Sequence, residues 1–535
     1  MQPVVLIVLD GFGVAPQSKG NAIFQAHPQN INSYIYSYPY TQLKASGEAV
    51  GLPYGEVGNT EVGHLNLGAG HVVYQSLLRI NLSIADGGFY KNIAFLESLY
   101  HLSKTKGRLH LMGLVSGGSV HANMDHLYAL LYFCKQNSFT NVFVHAFTDG
   151  RDSPPRTALT YLTDLQHKCD SSGIGQIASV MGRYYAMDRD RRWDRTMKAY
   201  LCLTQGIGHK ADSCSQAIEQ SYNKQQTDEF IEPTLIMKNS SPIALVQQGD
   251  AVIFFNFRID RPRQLTKAFV LDDFDTYVEE PSNTVKNYTS VNVSSHNLKR
   301  GKKVQNLYFI SMTEYERNLP TIVAFPPHII TVCLGRILSD NSINQLRMAE
   351  SEKERFVTYY FNGLREKPFP LEDRIIIPSL KIPTYDLQPA MSAQNITSTL
   401  IQKISICKYQ FILVNFANAD MIGHTGNFLA GIEAIKTIDS CVGQIVSVAR
   451  QYNYTVLITA DHGNIEEMID LKTGIISTEH TSNPVPLIII DEKYKNKPLR
   501  LDVGILADVA PTILALMQIP KPNVMTGRNL LQKAF

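Results

Sequence analysis

The sequence holds one tryptophan and seven cysteines in 535 residues, and it carries almost no net charge. The cysteines fall at positions 134, 169, 202, 214, 333, 407 and 441 without a Cys-x-x-Cys pair. That spacing excludes a zinc ribbon and argues against a disulfide framework. A formal charge of +2 argues against bulk nucleic acid as a partner, because such binding needs a strong basic field. No apolar run approaches the ~20 residues that span a bilayer. The opening residues enter a strand-like run at once, with no basic-then-apolar leader. Neither an internal repeat nor a long low-complexity tract is present. The expectation is a cytoplasmic protein with no membrane and no nucleic-acid partner.

What the chain does have is short Val/Ile-rich runs, each followed by a chemically capable side chain. Asp10 closes Val4-Val5-Leu6-Ile7-Val8-Leu9, and Asp420 follows Phe411-Ile412-Leu413-Val414-Asn415-Phe416, with His424 four residues on. Asp461-His462 follows Thr455-Val456-Leu457-Ile458-Thr459-Ala460, and His480 precedes the next apolar run. Runs of this kind read as buried parallel strands, and helical patterns alternate with them, so the fold class is α/β. At this length two domains are expected. The metal-type residues come from the two ends of the chain and an arginine set from the middle, which makes one domain discontinuous and the other an insertion into it.

Open α/β sheets bind ligands at the carboxyl ends of their strands. Asp10, Asp420, His424, Asp461, His462 and His480 are hard oxygen and imidazole donors suited to a pair of divalent ions such as Mn²⁺, Zn²⁺ or Mg²⁺. Gly55-Glu56-Val57-Gly58-Asn59-Thr60-Glu61-Val62-Gly63-His64 adds glycines spaced for close approach to an anion. Thr60 has two readings here. Its hydroxyl is either a nucleophile beside a metal or the cap of a following helix.

The middle of the chain delivers cations instead. Arg151, Arg183, Arg189, Arg258 and Arg261 follow strand-like runs at Leu109–Leu114, Asn141–Ala146, Ile177–Met181 and Ala251–Phe255 or sit close to such run ends. Guanidinium forks match phosphate and carboxylate oxygens. Asp152, beside Arg151, suits acid–base work on a substrate hydroxyl, and His121 suits donation to an oxyanion. Arg191, Arg192 and Arg195 lie in a run of mixed charge and are expected to pair with neighbouring acids. On spacing alone Lys353 is a surface lysine.

Taken in order, the motifs resemble those of the cofactor-independent phosphoglycerate mutases of the alkaline phosphatase superfamily. They are Val8-Leu9-Asp10-Gly11-Phe12-Gly13, Gly58-Asn59-Thr60-Glu61-Val62-Gly63-His64-Leu65-Asn66, Asp149-Gly150-Arg151-Asp152 and Gly182-Arg183-Tyr184-Tyr185-Ala186-Met187-Asp188-Arg189-Asp190. Asn256-Phe257-Arg258, Ala349-Glu350-Ser351-Glu352-Lys353, Asn418-Ala419-Asp420-Met421-Ile422-Gly423-His424, Thr459-Ala460-Asp461-His462-Gly463-Asn464 and His480-Thr481-Ser482-Asn483-Pro484 complete the set.

The resemblance implies an alkaline-phosphatase-like domain over 1–74 and 327–535 and an inserted phosphotransferase domain over 75–326. It implies two divalent ions, taken as Mn²⁺. One would be held by Asp420, His424 and His480, the other by Asp10, Asp461, His462 and the hydroxyl of Thr60. The implied substrate is 3-phosphoglycerate, held by His121, Arg151, Asp152, Arg183, Arg189, Arg258, Arg261 and Lys353. Thr60, Asp152 and Lys353 would be catalytic, and the chain a monomer.

Three departures from the family pattern stand out. The usual serine nucleophile is Thr60. The second histidine after His121 is replaced by Asn123. The stretch from Asp272 to Val304 turns acidic, then Asn/Ser/Thr-rich, then basic, and reads as a solvated surface insertion.

Overall fold

The computed structural model describes residues 2–279, 300–327, 329–497, 499 and 501–531. Most of the inserted stretch noted above, residues 280–299, lies outside them. The chain divides into two compact units, one formed by Met1–Gln75 with His328–Phe535 and the other by Ser76–Pro327.

The first unit is built on an eight-stranded sheet. Its centre is Val4–Leu9, flanked in parallel by Phe411–Phe416 on one side and Thr455–Thr459 on the other. Every residue of these three strands is buried. That explains their largely apolar sequence, broken only by Asn415, Thr455 and Thr459, since a parallel strand covered on both faces has no solvent side to alternate toward. Helix Phe428–Gln451 supplies part of the cover. Its buried apolar positions 430, 431, 434, 435, 438, 441, 442, 445, 446 and 449 repeat with the helical period, and Asp439 is the one charged residue buried beside them.

Beyond Thr455–Thr459 the sheet changes direction. Val485–Ile490 pairs antiparallel with it, and Tyr40–Lys44 pairs antiparallel with Val485–Ile490. The start of an antiparallel strand lies level with the ends of the parallel ones. His480 therefore reaches the same edge as Asp10 and Asp461 by preceding a strand rather than following one, which refines the strand-end expectation.

The second unit has a nine-stranded sheet. Ala251–Phe254, Leu109–Leu114, Val142–Thr148 and Gln176–Gly182 run side by side and parallel at its centre. Thr234–Lys238 joins antiparallel to Gln176–Gly182. The α/β class read from the sequence describes both units. Among the described residues no helix is long and apolar enough to cross a membrane.

Candidate functional site

In the first unit the strand ends deliver Asp10, Asp420, Asp461 and His462 to one place, all of them buried. Gly11 lets the chain turn there. Its φ is +76°, and a Cβ would stand 2.7 Å from the Asp420 backbone. The backbone N–H of Asp420 donates to the Asp10 carbonyl at 2.9 Å, tying the two loops together.

Thr60 opens helix Thr60–Ala69. The capping alternative for its hydroxyl does not hold, because Asn59 is the cap, its side chain accepting from the Val62 N–H at 3.0 Å. That leaves the Thr60 hydroxyl free to face the strand ends. Its Oγ1 lies 3.2 Å from Asp10 Oδ1, 3.0 Å from His462 Nε2 and 3.2 Å from Lys353 Nζ. Helix and sheet approach this closely because residue 63 is glycine. A Cβ on Gly63 would come within 2.6 Å of the Asp461 Cβ.

Lys353 is not the surface lysine that spacing suggests. It is buried, with Nζ 2.8 Å from Asp10 Oδ1 and 2.7 Å from Asp420 Oδ2. Burial alone would lower its ammonium, but Asp10, Asp420 and Asp461 hold it well above the usual lysine range. His462 behaves alike. Burial pulls its imidazole down, the carboxylates of Asp461, Asp10 and Asp420 outweigh that, and the result is a rise to about 10. Asp461 and Asp420 resist burial in the opposite sense. Charge from His462 and Lys353 holds both below the usual carboxylate range.

Three buried carboxylates this close repel one another unless positive charge stands among them, and Lys353 supplies part of it. The Oδ2 atom of Asp461 is buried and makes no well-aligned hydrogen bond, His64 Nδ1 standing 3.2 Å from it, so it retains lone pairs that a cation could take. His424 and His480 make the same case. Nδ1 of His424 faces the Thr478 carbonyl and Nδ1 of His480 the Gly58 carbonyl, each at 2.8 Å. Those carbonyls hold the ring protons on Nδ1, so both Nε2 atoms turn inward. They lie 3.1 Å apart, each 3.2 Å from Asp420 Oδ1. Two imidazole nitrogens and a carboxylate oxygen converging in this way, each ring fixed by a backbone acceptor, suit a divalent metal. The donor atoms of Asp420, His424 and His480 form one group close enough to hold an ion, and those of Asp10, Asp420 and His462 another. The residues fit divalent ions.

In the second unit the structure gathers the arginine set around acids that motif reading passes over. Asp149 is buried and takes Arg183 Nη1 at 2.6 Å, Ser116 Oγ at 2.8 Å and the backbone N–H groups of Arg151 and Asp152. The second partner of Arg183 Nη1 is Asp152. Asp260 accepts from Arg189 Nη1 at 2.6 Å and lies 3.3 Å from Arg258 Nε and 3.7 Å from His121 Nδ1. Arg261 donates through Nη1 to the Met187 carbonyl at 3.1 Å. Burial and then the Arg183 charge lower His121 to about 4, so it is neutral at pH 7 and donates through one ring nitrogen only. Arg151 is half exposed, 3.6 Å from Glu229. Arg192 and Arg195 pair with Asp188 as expected, and Arg195 also lies over the Tyr184 ring, whereas Arg191 is held through its backbone N–H, which donates to Gln264 Oε1 at 2.7 Å. Asn123 has become a helix cap, its Oδ1 accepting from the Asp125 N–H at 2.7 Å.

Comparison with known proteins gives this geometry a family. Residues 80–317 match the family described as the BPG-independent PGAM N-terminus, and residues 262–492 match type I phosphodiesterase / nucleotide pyrophosphatase. The 2,3-bisphosphoglycerate-independent phosphoglycerate mutase of Moorella thermoacetica is 48% identical over 532 residues, covering 99% of each chain. The chain belongs to the 2,3-bisphosphoglycerate-independent phosphoglycerate mutases. A second member of these mutases, from Methanosarcina barkeri, is 47% identical over 99% of each chain. The crystal structure of Leishmania mexicana phosphoglycerate mutase at low cobalt concentration superposes with a TM-score of 0.62 at 26% identity, covering 98% of this chain and 97% of that one.

Within this mutase family frame, Asp149 and Asp260 are residues that motif reading leaves without a role. Asp149 stands inside the Asp149-Gly150-Arg151-Asp152 motif and Asp260 lies between Arg258 and Arg261, and that proximity was the one signal for them. Glu466 carried no signal. It accepts from the N–H groups of Gly13 and Asn464 at 3.1 and 2.8 Å, from Asn483 Nδ2 at 3.0 Å and from Thr481 Oγ1. It thereby ties the loop bearing His480 to the one following Asp10.

Proposed function

We propose that the chain carries out its family's reaction, interconverting 3-phosphoglycerate and 2-phosphoglycerate through a phosphoenzyme on Thr60. The observation that carries this reading is the placement of Thr60 Oγ1 within 3.2 Å of Asp10, His462 and Lys353. A hydroxyl so placed is held and surrounded by charge able to favour its alkoxide.

In this reading Asp420, His424 and His480 hold one ion, and Asp10, Asp461, His462 and Thr60 hold the other. Imidazole-rich ligation supports Mn²⁺ over Mg²⁺. When bound, such ions supply positive charge that lowers the hydroxyl's pKa and neutralises phosphoryl oxygens. The Thr60 oxygen, its proton already given up to solvent, bonds to phosphorus as the bond from phosphorus to the substrate's C3 oxygen breaks. It is freed again as an oxyanion when the phosphoryl group returns to the substrate. Lys353, on the same oxygens, offsets the charge that develops.

His121, Arg151, Arg183, Arg189, Arg258 and Arg261 orient the substrate's carboxylate and phosphate. Asp152 gives a proton to the departing C3 oxygen and takes one from the C2 hydroxyl when the phosphoryl group returns there. Arg183, already bonded to Asp152, fixes that carboxyl's direction. Assigning metal chemistry to residues 1–74 and 327–535 and substrate recognition to 75–326 is part of this proposal, as are a monomeric state and a cytoplasmic location.

The test is turnover by the purified, Mn²⁺-loaded protein without bisphosphoglycerate. Interconversion of the two phosphoglycerates supports the reading, and no turnover sinks it. A panel of phosphate esters separates a mutase from a general phosphatase.

A further inference from the structure

Asp10, His64 and Asp461 form a third buried group whose donor atoms lie close enough to hold an ion. The hydrogen bonds around His64 point to a different role. Asn415 Nδ2 lies 2.7 Å from Asp10 Oδ2 and 3.1 Å from His64 Nε2. A carboxylate accepts but does not donate, so the Asn415 group facing Asp10 is its NH₂. The same nitrogen faces His64, whose Nε2 must then accept. The ring proton is therefore on Nδ1.

Two acceptors surround that Nδ1. The carbonyl of Thr60 is 3.0 Å away and Asp461 Oδ2 is 3.2 Å away. A nitrogen that carries a proton has no lone pair to give a metal, and the other ring nitrogen is engaged by Asn415. The ring is also wedged against Phe356, with centroids 6.0 Å apart.

A closed circuit results. From the Thr60 carbonyl it passes through His64 and Asn415 to Asp10 Oδ2, and from Asp10 Oδ1 it returns to the Thr60 hydroxyl over 3.2 Å. Both ends of Thr60, backbone and side chain, are thereby referred to one carboxylate. We propose that His64 is a positioning residue that holds Thr60 against Asp10 through Asn415, and that it is not a metal ligand. The inference rests on Thr60 as the nucleophile.

Asparagine and glutamine divide the two functions of the ring. The amide of Asn reaches the place of Nδ1, and that of Gln the place of Nε2. In the Mn²⁺-loaded protein, His64→Gln is expected to lower kcat about 10–100-fold, the usual effect of removing a group that orients a metal site. KM for 3-phosphoglycerate should stay unchanged, with two ions still bound per chain by elemental analysis. His64→Asn keeps the contact with the Thr60 carbonyl but not the one with Asn415, so it should lower kcat as well, and a full kcat in it would overturn the link through Asn415. In the Mg²⁺-loaded protein, ¹⁵N spectra of the histidine rings, with His64 assigned by difference against His64→Asn, should show a proton on Nδ1.

Loss of one bound ion per chain in either variant, an unchanged kcat in His64→Gln, or a ring proton on Nε2 would each overturn the proposal. An inactive wild type would defeat the proposed reaction instead. The tautomer and the ion count would then decide this inference without it. If His64→Gln fails to fold, the wild-type tautomer decides.

Discussion

The hydroxyl of Thr60 lies 3.0 Å from Nε2 of His462, 402 positions further along the chain. The contact depends on Asn59 capping the helix, which releases the Thr60 side chain from that duty. Serine carries the same oxygen without the methyl, so Thr60→Ser should retain turnover. Thr60→Ala should lose it by about 10⁴-fold or more, as when other covalent nucleophiles are removed, and no phosphoenzyme should be trapped by acid quench and mass spectrometry. Turnover in the alanine variant would dismiss the nucleophile assignment.

Gly63 sets how closely the Thr60 helix approaches Asp461. Gly63→Ala places a methyl where the Asp461 Cβ already stands. Overpacking of this kind costs about 1–3 kcal/mol. The helix must shift, carrying Thr60 with it. Divalent-ion affinity measured by chelator competition should weaken, and kcat should fall with it, while the circular dichroism spectrum keeps its form. An unchanged affinity would mean that the close approach is incidental.

In the second unit, Arg183 and Asp149 form a pair buried on both sides. Removing Asp149 leaves Arg183 with Asp152 alone, so the cost is at most the ~3–5 kcal/mol of a broken buried pair. Asp149→Ala should therefore lower the urea midpoint and raise KM for 3-phosphoglycerate, because Arg183 and the Arg151-Asp152 backbone lose their common acceptor. A midpoint within error of wild type would show the pair to be dispensable.

His126 supplies a pH dependence. It is buried, its Nε2 donates to Asn81 Oδ1 at 2.8 Å, and burial lowers it to about 3. The unfolded chain takes up this proton near the ordinary histidine value of about 6.5, and the folded chain refuses it until about 3. The unfolded state thus binds more protons through that interval. Its contribution to stability is complete above pH 6.5 and is lost as pH falls toward 3, at about 1.4 kcal/mol per unit. His126→Gln keeps the donor to Asn81 and should flatten that part of a stability-against-pH curve. An identical slope in the variant would assign the dependence elsewhere.

Much of this was legible in sequence because buried parallel strands write themselves plainly. Val4–Leu9 is apolar throughout and Phe411–Phe416 is so except for Asn415, since both faces are covered, and a ligand-type residue closes or soon follows each. The family was legible from motif order and is borne out by relatives spanning 99% of the chain. Other features were illegible for physical reasons. Lys353 looked like a surface residue because spacing carries no record of the three carboxylates that fold around it. His64 carried no reading because its role rests on which ring nitrogen bears the proton, and Asn415 decides that from another strand.

By itself the sequence determined the α/β class, the family and the chemical types available: carboxylates, imidazoles, a hydroxyl and a set of guanidinium groups. Periodicity and order along the chain suffice for these, because they express local burial. Only the tertiary structure decided which groups meet. It turned one strand antiparallel so that His480 joins the edge where Asp10 ends its strand, and it buried Lys353 and His462 among carboxylates that favour positive charge there. Those outcomes depend on distances between residues hundreds of positions apart, and charge and hydrogen bonding act through distance in space.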